Sequence, residues 1–156
     1  ATIISVNTDN KIIIGRQEYC ALPLLGLDNV PARIDSGAKT SALHAYNIEV
    51  SKDDDGQEHI TFNTHPENRR RKDAPLITLP IVDKRHITSS NGIREERYIV
   101  RMMISLGGKT LETDFTLTSR HKMSFPVLIG RNTLIKGGFL IDVSRGYILK
   151  KNKQAL

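Results

Sequence analysis

The 156-residue chain has almost no cysteine. Cys20 is its only one, so no internal disulfide can form and no set of cysteines can hold structural zinc. Packing must therefore stabilise the fold, and an oxidising compartment is not required. A chain of this length makes one ordinary domain around a single core, and we treat residues 1–156 as one domain.

Long hydrophobic runs are also missing. No apolar segment is long enough to cross a bilayer, and no charged-then-apolar leader is visible near the start. The sequence therefore predicts no membrane partner. It predicts a cytoplasmic location, or a periplasmic one if a signal was removed before Ala1.

Recognisable metal and nucleotide motifs are absent. The five histidines show no His-Glu-x-x-His pattern, and the best-spaced pair, His59 and His65, lies in a polar segment. Residues 108–110, GKT, resemble the end of a phosphate-binding loop, but Met103 stands where that loop needs a glycine. We therefore predict no metal and no cofactor.

Acidic residues are outnumbered. The chain has 23 Lys and Arg against 17 Asp and Glu, a formal net charge of +6. A basic chain favours acidic partners such as nucleic acid, an anionic membrane or an acidic polypeptide. The one dense basic run, RRRK at 69–72, has acids nearby and no interleaved aromatic residues to stack on bases. This composition disfavours nucleic acid and favours a solvated loop.

The periodic patterns are those of β-strands. Residues 46–50 and 111–117 alternate between apolar and polar side chains, as half-buried strands do. Pairs that suit the positive φ angles of tight hairpins separate the strand-like segments. These pairs are Asp55-Gly56, Asn91-Gly92 and Gly107-Gly108. The sequence thus predicts an all-β fold built as a meander.

Three further segments have distinct patterns. Residues 131–136 form the only good helix candidate, because Gly137-Gly138 follows it. Residues 139–143 and 147–149 predict one more hairpin. Residues 51–75 are mostly polar and carry little that can enter a core, so we interpret them as an inserted, solvated hairpin and loop.

One acid lies in an unusual setting. In PARIDSGAKTSALH, residues 31–44, Asp35 follows a strand-like segment and precedes Ser-Gly-Ala. Asp-Ser-Gly can simply cap its own turn. A second segment changes this interpretation, because FPVLIGRNTL at 125–134 is an apolar strand that ends in Gly-Arg and leads into the short helix.

Together these motifs resemble the retropepsin family of aspartic proteases, to which the retroviral proteases belong. The similarity covers roughly residues 30–145. DSGAKTSALHA is closer to a bacterial group labelled "ATP-dependent zinc protease", some of whose members are associated with enzymes that add glutamate to protein tails. The resemblance implies a closed barrel in which hairpin 82–98 is a flap with SNG at its tip. Segment 51–75 has no counterpart in the family.

The resemblance makes Asp35 the catalytic acid, with Ser36 and Gly37 beside it. Two carboxylates held close share a proton: the charged one takes a proton from water, and the protonated one polarises the scissile carbonyl. Gly37 lets the backbone approach the carboxylate, and Ser36 can hydrogen-bond across the pair. Within the chain, Asp142 is the alternative second acid, but it lacks the following Ser/Thr-Gly. We therefore expect a homodimer that supplies a second Asp35.

Lys39 departs from the retroviral pattern. There an acid follows the alanine and can pair with the arginine of Gly-Arg, whereas Lys39 cannot pair with Arg131. Both cations then attract an acidic peptide. Arg33, Lys84, Arg85, Arg94 and Arg97 either add to this field or are solvated, and His44 is alternatively a core histidine. The predicted substrate-binding residues are Ala38, Lys39, His44, Asn91, Gly92, Gly130 and Arg131.

These inferences predict an aspartic peptidase. It would hydrolyse peptide or isopeptide-like amide bonds in an acidic or glutamate-rich polypeptide through an aspartate pair formed across a homodimer. The alternative is a non-catalytic module that uses the same cleft to bind an acidic peptide or nucleic acid.

Overall fold

A computed structural model describes residues 10–64, 76–88, 92–119 and 125–149, with the side chains of 87 and 88 excepted. This part of the chain contains one α-helix, α1 (Arg131–Gly137), and a short 3-10 helix at Pro23–Leu25. Neither is long and apolar enough to span a membrane. The strands are β1 (Ile12–Gly15), β2 (Gln17–Leu22), β3 (Leu27–Ile34), β4 (Ser41–His44), β5 (Tyr46–Lys52), β6 (Glu58–Asn63), β7 (Leu76–Pro80), β8 (Asp83–Thr88), β9 (Arg94–Leu106), β10 (Lys109–Thr118), β11 (Val127–Ile129) and β12 (Phe139–Asp142).

Six strands pair in a ring. β3 pairs with β2 on one side and with β11 on the other, and β4 continues the ring from β11 to β10. β10 forms a long antiparallel pair with β9, and the pairing of Ala21 with Ser105 joins β9 back to β2. The prediction of an all-β barrel with one short helix is confirmed, with a narrow seam between β2 and β9.

The alternation of side chains along the long strands supplies the core. On β9, Val100, Met102 and Ile104 are buried, and on β10 Phe115 and Leu117 face the same interior. Successive side chains of a strand point to opposite faces, so this spacing places one apolar row inside the barrel. Most polar residues of the same strands remain at the surface, and Thr113 on β10 is buried.

Cys20 is part of this core. It is fully buried, and burial raises the pKa of its thiol to about 12. The thiol therefore stays protonated at neutral pH and behaves as a small apolar side chain.

The polar segment 51–75 begins in a second sheet, formed by β5, β6 and β7. Asp53 Oδ1 accepts hydrogen bonds from the N–H groups of Asp55 and Gln57, each at 2.9 Å, and Gly56 has φ of 81°. The hairpin turn predicted at Asp55-Gly56 is therefore present.

Two apolar side chains of this segment are not solvated. Ile60 and Phe62 on β6 are fully buried and belong to the main apolar core. The expectation that segment 51–75 contributes little to the core is wrong for these two residues, because alternate positions of β6 face inward. Residues 65–75 lie outside the described residues.

β8 and the first half of β9 form the hairpin expected at 82–98. Their register runs from the pair Asp83 and Ile99 to the pair Thr88 and Arg94. Residues 89–91, which include most of the expected tip, lie outside the described residues.

The predicted C-terminal hairpin is wrong. β12 pairs in parallel with β1, and residues 147–149 do not return beside β12 as a strand. Instead the N–H groups of Ile148 and Leu149 donate to the buried Glu18 carboxylate, both at 3.0 Å, and the N–H of Gly15 donates at 2.7 Å. A buried carboxylate needs such donors, and these bonds take the place of strand pairing.

A chain of buried hydroxyl groups attaches α1 to the barrel. Ser41 Oγ on β4 accepts a hydrogen bond from the N–H of Gly130 at 3.0 Å. Ser41 Oγ also lies 2.6 Å from Thr133 Oγ1 on α1, which lies 2.6 Å from Thr113 Oγ1 on β10. Because each hydroxyl can donate to the next, the chain satisfies three buried polar groups and fixes the position of Gly130.

The burial of Phe62 gives the first prediction. Phe62→Ala should lower the free energy of unfolding by about 3–5 kcal/mol, since it leaves a cavity in the core. Ile48→Ala on the adjacent strand is the matched control, because Ile48 is 39% exposed, and should cost less than about 1 kcal/mol. Urea denaturation compares the two. Equal small losses would show that the second sheet is not part of the core.

The hydroxyl chain gives the second prediction. Thr133→Val keeps the side-chain shape but leaves Ser41 and Thr113 without their shared partner, so unfolding should become easier by about 1–3 kcal/mol. Thr61→Val is the control, because Thr61 Oγ1 bonds Thr78 Oγ1 at 2.8 Å at the surface, where water can replace the lost group. If both variants lose the same stability in urea, the buried chain has no special role.

Candidate active site

Asp35 lies where β3 ends and the chain leaves the barrel. Its N–H donates to the carbonyl of Ile129 on β11 at 2.9 Å. Its Oδ1 accepts a hydrogen bond from the N–H of Gly37 at 3.0 Å, and the side chain is half-buried. No other hydrogen bond or ion pair within the described residues reaches this carboxylate. The group is therefore positioned by the turn and accessible at one edge.

The turn after Asp35 depends on its small residues. A Cβ on Gly37 would lie 3.2 Å from Asp35 Oδ1, so a larger residue would crowd the carboxylate. Ser36 is exposed, and its carbonyl accepts a hydrogen bond from Arg131 Nη1 at 3.2 Å. The Asp-Ser-Gly turn is thus connected to the Gly-Arg segment that lies far from it in the sequence.

The backbone holds the two segments together still more closely. The N–H of Arg131 donates to the carbonyl of Ala38 at 2.7 Å, and the N–H of Asn132 donates to the carbonyl of Lys39 at 3.0 Å. A Cβ on Gly130 would lie 2.6 Å from the carbonyl carbon of Thr40. Only glycine permits this approach, which makes the two motifs one structural unit.

Lys39 and Arg131 are both exposed beside this unit. Arg131 donates to the Ser36 carbonyl, and Lys39 projects from the same loop as Asp35. In the described part of the chain neither cation has an acidic partner. Their positive charge is therefore available to an acidic ligand.

The other predicted substrate-binding residues are more dispersed. His44 on β4 is only 2% exposed, and its ring stacks on Tyr46 with centroids 5.6 Å apart. This favours the alternative that His44 is a core residue. Gly92 is exposed near the hairpin tip with φ of 83°, and Asn91 lies outside the described residues.

Asp142 has a local structural role. Its Oδ1 accepts hydrogen bonds from the N–H of Ser144 at 3.0 Å and from the Ser144 hydroxyl at 2.6 Å. The bond from the hydroxyl is the main reason that the pKa of the Asp142 carboxyl lies below its usual range. The alternative second acid thus closes a turn at the end of β12.

Sequence reasoning did not identify the pocket next to the Asp35 loop. The pocket has a volume of about 480 Å³ and brings together Lys39 of the loop, Arg85 of β8 and Arg97 of β9. Arg85 Nη1 donates to Thr40 Oγ1 at 3.3 Å, which connects the hairpin to the loop. The only signal in the sequence is that Arg85 and Arg97 both lie in hairpin 82–98. The strand register is needed to show that the two arginines lie opposite each other.

Potential metal ligands do not cluster in the described residues. No three His, Cys, Asp or Glu side chains of residues 10–64, 76–88, 92–119 and 125–149 lie close enough to share an ion. The prediction that the protein needs no metal stays a prediction.

Comparison with known proteins identifies relatives of the whole domain. Residues 13–152 match the RimB-like family, described as the retropepsin-like aspartic endopeptidase RimB. A probable alpha-L-glutamate ligase of Shewanella pealeana is 42% identical over 91% of this chain and 31% of its own length. A protein of the same name from Desulfotalea psychrophila is 39% identical over 80% of this chain and 27% of its own length. The chain therefore spans about a third of these curated relatives.

A solved structure supports the same assignment. A Legionella pneumophila protein of unknown function superposes with a TM-score of 0.70 at 26% identity, covering 87% of this chain and 96% of that one. The family match includes both the Asp-Ser-Gly turn and the Gly-Arg segment. The chain belongs to the RimB-like family of retropepsin-like aspartic endopeptidases.

Proposed function

We propose that the protein is an aspartic peptidase that hydrolyses peptide or isopeptide-like amide bonds. The observation that carries this proposal is that backbone hydrogen bonds hold the Asp35 turn against the Gly130-Arg131 segment. This contact places one accessible carboxylate at the edge of the barrel, where a reacting carbonyl can approach it. Family membership supports the same chemistry.

A single chain supplies half of the reacting group. The alternative second acid, Asp142, has its Oδ1 engaged by Ser144 in a separate turn. We therefore assign the second carboxylate to Asp35 of another copy of this chain. A two-fold axis through the paired loops brings identical carboxylates together and is the commonest oligomer symmetry.

The pair would act by general acid–base catalysis. The ionised Asp35 takes a proton from a water molecule as the water oxygen attacks the carbonyl carbon, and the protonated Asp35 gives its proton to the carbonyl oxygen. When the tetrahedral intermediate collapses, the carbon–nitrogen bond breaks, and the carboxyl group that took the water proton gives it to the leaving nitrogen. The other carboxylate takes back a proton from a hydroxyl group of the intermediate as the new carbonyl forms, so the pair returns to its starting state. Two close carboxylates that share one proton can fill both roles.

An acidic or glutamate-rich polypeptide is the proposed substrate. Lys39 and Arg131 carry positive charge beside Asp35, and the whole chain has a formal charge of +6. Relatives named probable alpha-L-glutamate ligase contain a similar domain in a longer polypeptide. A domain that hydrolyses a glutamate-containing chain fits with its occurrence in proteins of that name. In this proposal hairpin 82–98 covers the bound peptide.

One observation favours the alternative of a non-catalytic binding module. The bond from the Gly37 N–H to Asp35 Oδ1 is also what a purely structural turn shows. Such a module would use the same cations to bind an acidic peptide without turnover. The role of the Asp35 carboxylate therefore separates the two functions.

Replacing that carboxylate gives the third prediction. Asp35→Asn should lower turnover of a glutamate-rich peptide by about 10²–10⁴-fold or more, because the amide cannot act as a general base. Binding of the same peptide should remain. Cleavage is followed by mass spectrometry and binding by calorimetry.

Asp142→Asn is the matched control, since it removes an equivalent carboxylate in the other turn. It should keep full turnover. Undiminished cleavage by Asp35→Asn, or equal losses in both variants, would contradict the peptidase assignment.

A further inference from the structure

The pocket beside the Asp35 loop has an unusual lining. Its cationic side chains come from three separate elements, the loop (Lys39), β8 (Arg85) and β9 (Arg97), and among the described residues no carboxylate lines it. Ala42 and Leu128 give it an apolar wall. Its volume of about 480 Å³ lies in the range of small-ligand sites. A ligand that combines negative charge with a short aliphatic portion would complement this lining.

The two arginines are held in an unfavourable arrangement. Arg85 and Arg97 are direct cross-strand partners in the hairpin. Like charges directly opposite on neighbouring strands destabilise a hairpin. Each arginine has an acid two residues away on its own strand. Asp83 Oδ2 lies 3.7 Å from Arg85 Nε, and Glu95 Oε2 lies 3.6 Å from Arg97 Nη2. Both contacts are longer than a charge-assisted hydrogen bond, so the repulsion is only partly offset.

Two nitrogen groups in the pocket, Arg97 Nε and the Lys39 ammonium, lack a partner of opposite character among the described residues. Arg97 Nε is buried, and no acceptor in the described residues reaches it. Lys39 likewise has no acidic partner there. A buried N–H donor without an acceptor costs stability. A carboxylate bound in the pocket would supply the missing acceptor and relieve the repulsion between the arginines.

We propose that this pocket is the subsite that binds a side-chain carboxylate of the substrate, with Arg97, Arg85 and Lys39 as specificity-determining residues. The methylene groups of a glutamate side chain pack against the apolar wall, and the carboxylate accepts from the arginines. The assignment deepens the proposed function and rests on it, because Lys39 belongs to the Asp35 loop. It also links substrate charge to hairpin 82–98, since Arg85 already contacts Thr40.

Binding to the Asp35→Asn protein tests the subsite without turnover. Two probes of equal length are used, a glutamate-rich peptide and the same peptide with glutamine in place of glutamate. In this background Arg97→Gln should weaken binding of the glutamate peptide by about ten-fold and leave the glutamine peptide unchanged. Arg97→Lys, which keeps the charge but loses the planar fork, should recover part of the affinity.

Arg94→Gln is the matched control. Arg94 lies on the same strand and is exposed, but it does not line the pocket. It should leave the ratio of the two affinities unchanged, and circular dichroism checks that every variant is folded. Equal effects of Arg94→Gln and Arg97→Gln, or an unchanged ratio in Arg97→Gln, would overturn the subsite. Tighter binding of a phosphoserine peptide than of the glutamate peptide would overturn the carboxylate assignment.

The same variants separate this proposal from the peptidase assignment. If Asp35→Asn leaves turnover intact but Arg97→Gln changes the affinity ratio, the chemistry is wrong and the subsite stands. If Asp35→Asn abolishes turnover but Arg97→Gln leaves the ratio unchanged, the peptidase stands and the subsite is wrong.

Discussion

Two backbone hydrogen bonds organise the candidate active site. They run from the N–H groups of Arg131 and Asn132 to the carbonyls of Ala38 and Lys39, and they hold the turn after β3 against the start of α1. The contact is possible because Gly130 has no Cβ. Behind it, the buried hydroxyl chain fixes α1 to β4 and β10. Within the turn held this way, the Gly37 N–H donates to Asp35 Oδ1, and Lys39 and Arg131 are exposed beside it.

Much of the fold and of the site could be predicted from local patterns. Alternation along residues 111–117 correctly predicts a half-buried strand, β10, whereas the same pattern at 46–50 is wrong about burial, because Ile48 and Val50 of β5 are exposed. The Asp-Ser-Gly and Gly-Arg segments, each preceded by a strand, identify the family. Such signals depend on residues close in sequence, where side-chain period and turn chemistry dominate. The position of α1 follows in the same way, because Gly138 ends it with φ of 67°.

The remainder depends on contacts between residues far apart in sequence. Phe62 lies in a polar segment, yet it is buried because β6 places it in the main apolar core. In the sequence Glu18 has the pattern of an ordinary strand residue. Only the fold brings the backbone N–H groups of Ile148 and Leu149 to its carboxylate. The cationic pocket likewise needs the hairpin register, which sets Arg85 opposite Arg97. Composition shows that the chain is basic, but not where unbalanced charges meet.

In the proposed mechanism, two copies of Asp35 form one reacting group. Specific activity on a glutamate-rich peptide, measured over a dilution series with the mass determined in parallel by analytical ultracentrifugation, tests it most directly. Activity per chain should fall in proportion to the fraction of dimer, because a lone carboxylate cannot share a proton. Constant activity per chain at concentrations where the protein is entirely monomeric would contradict the account.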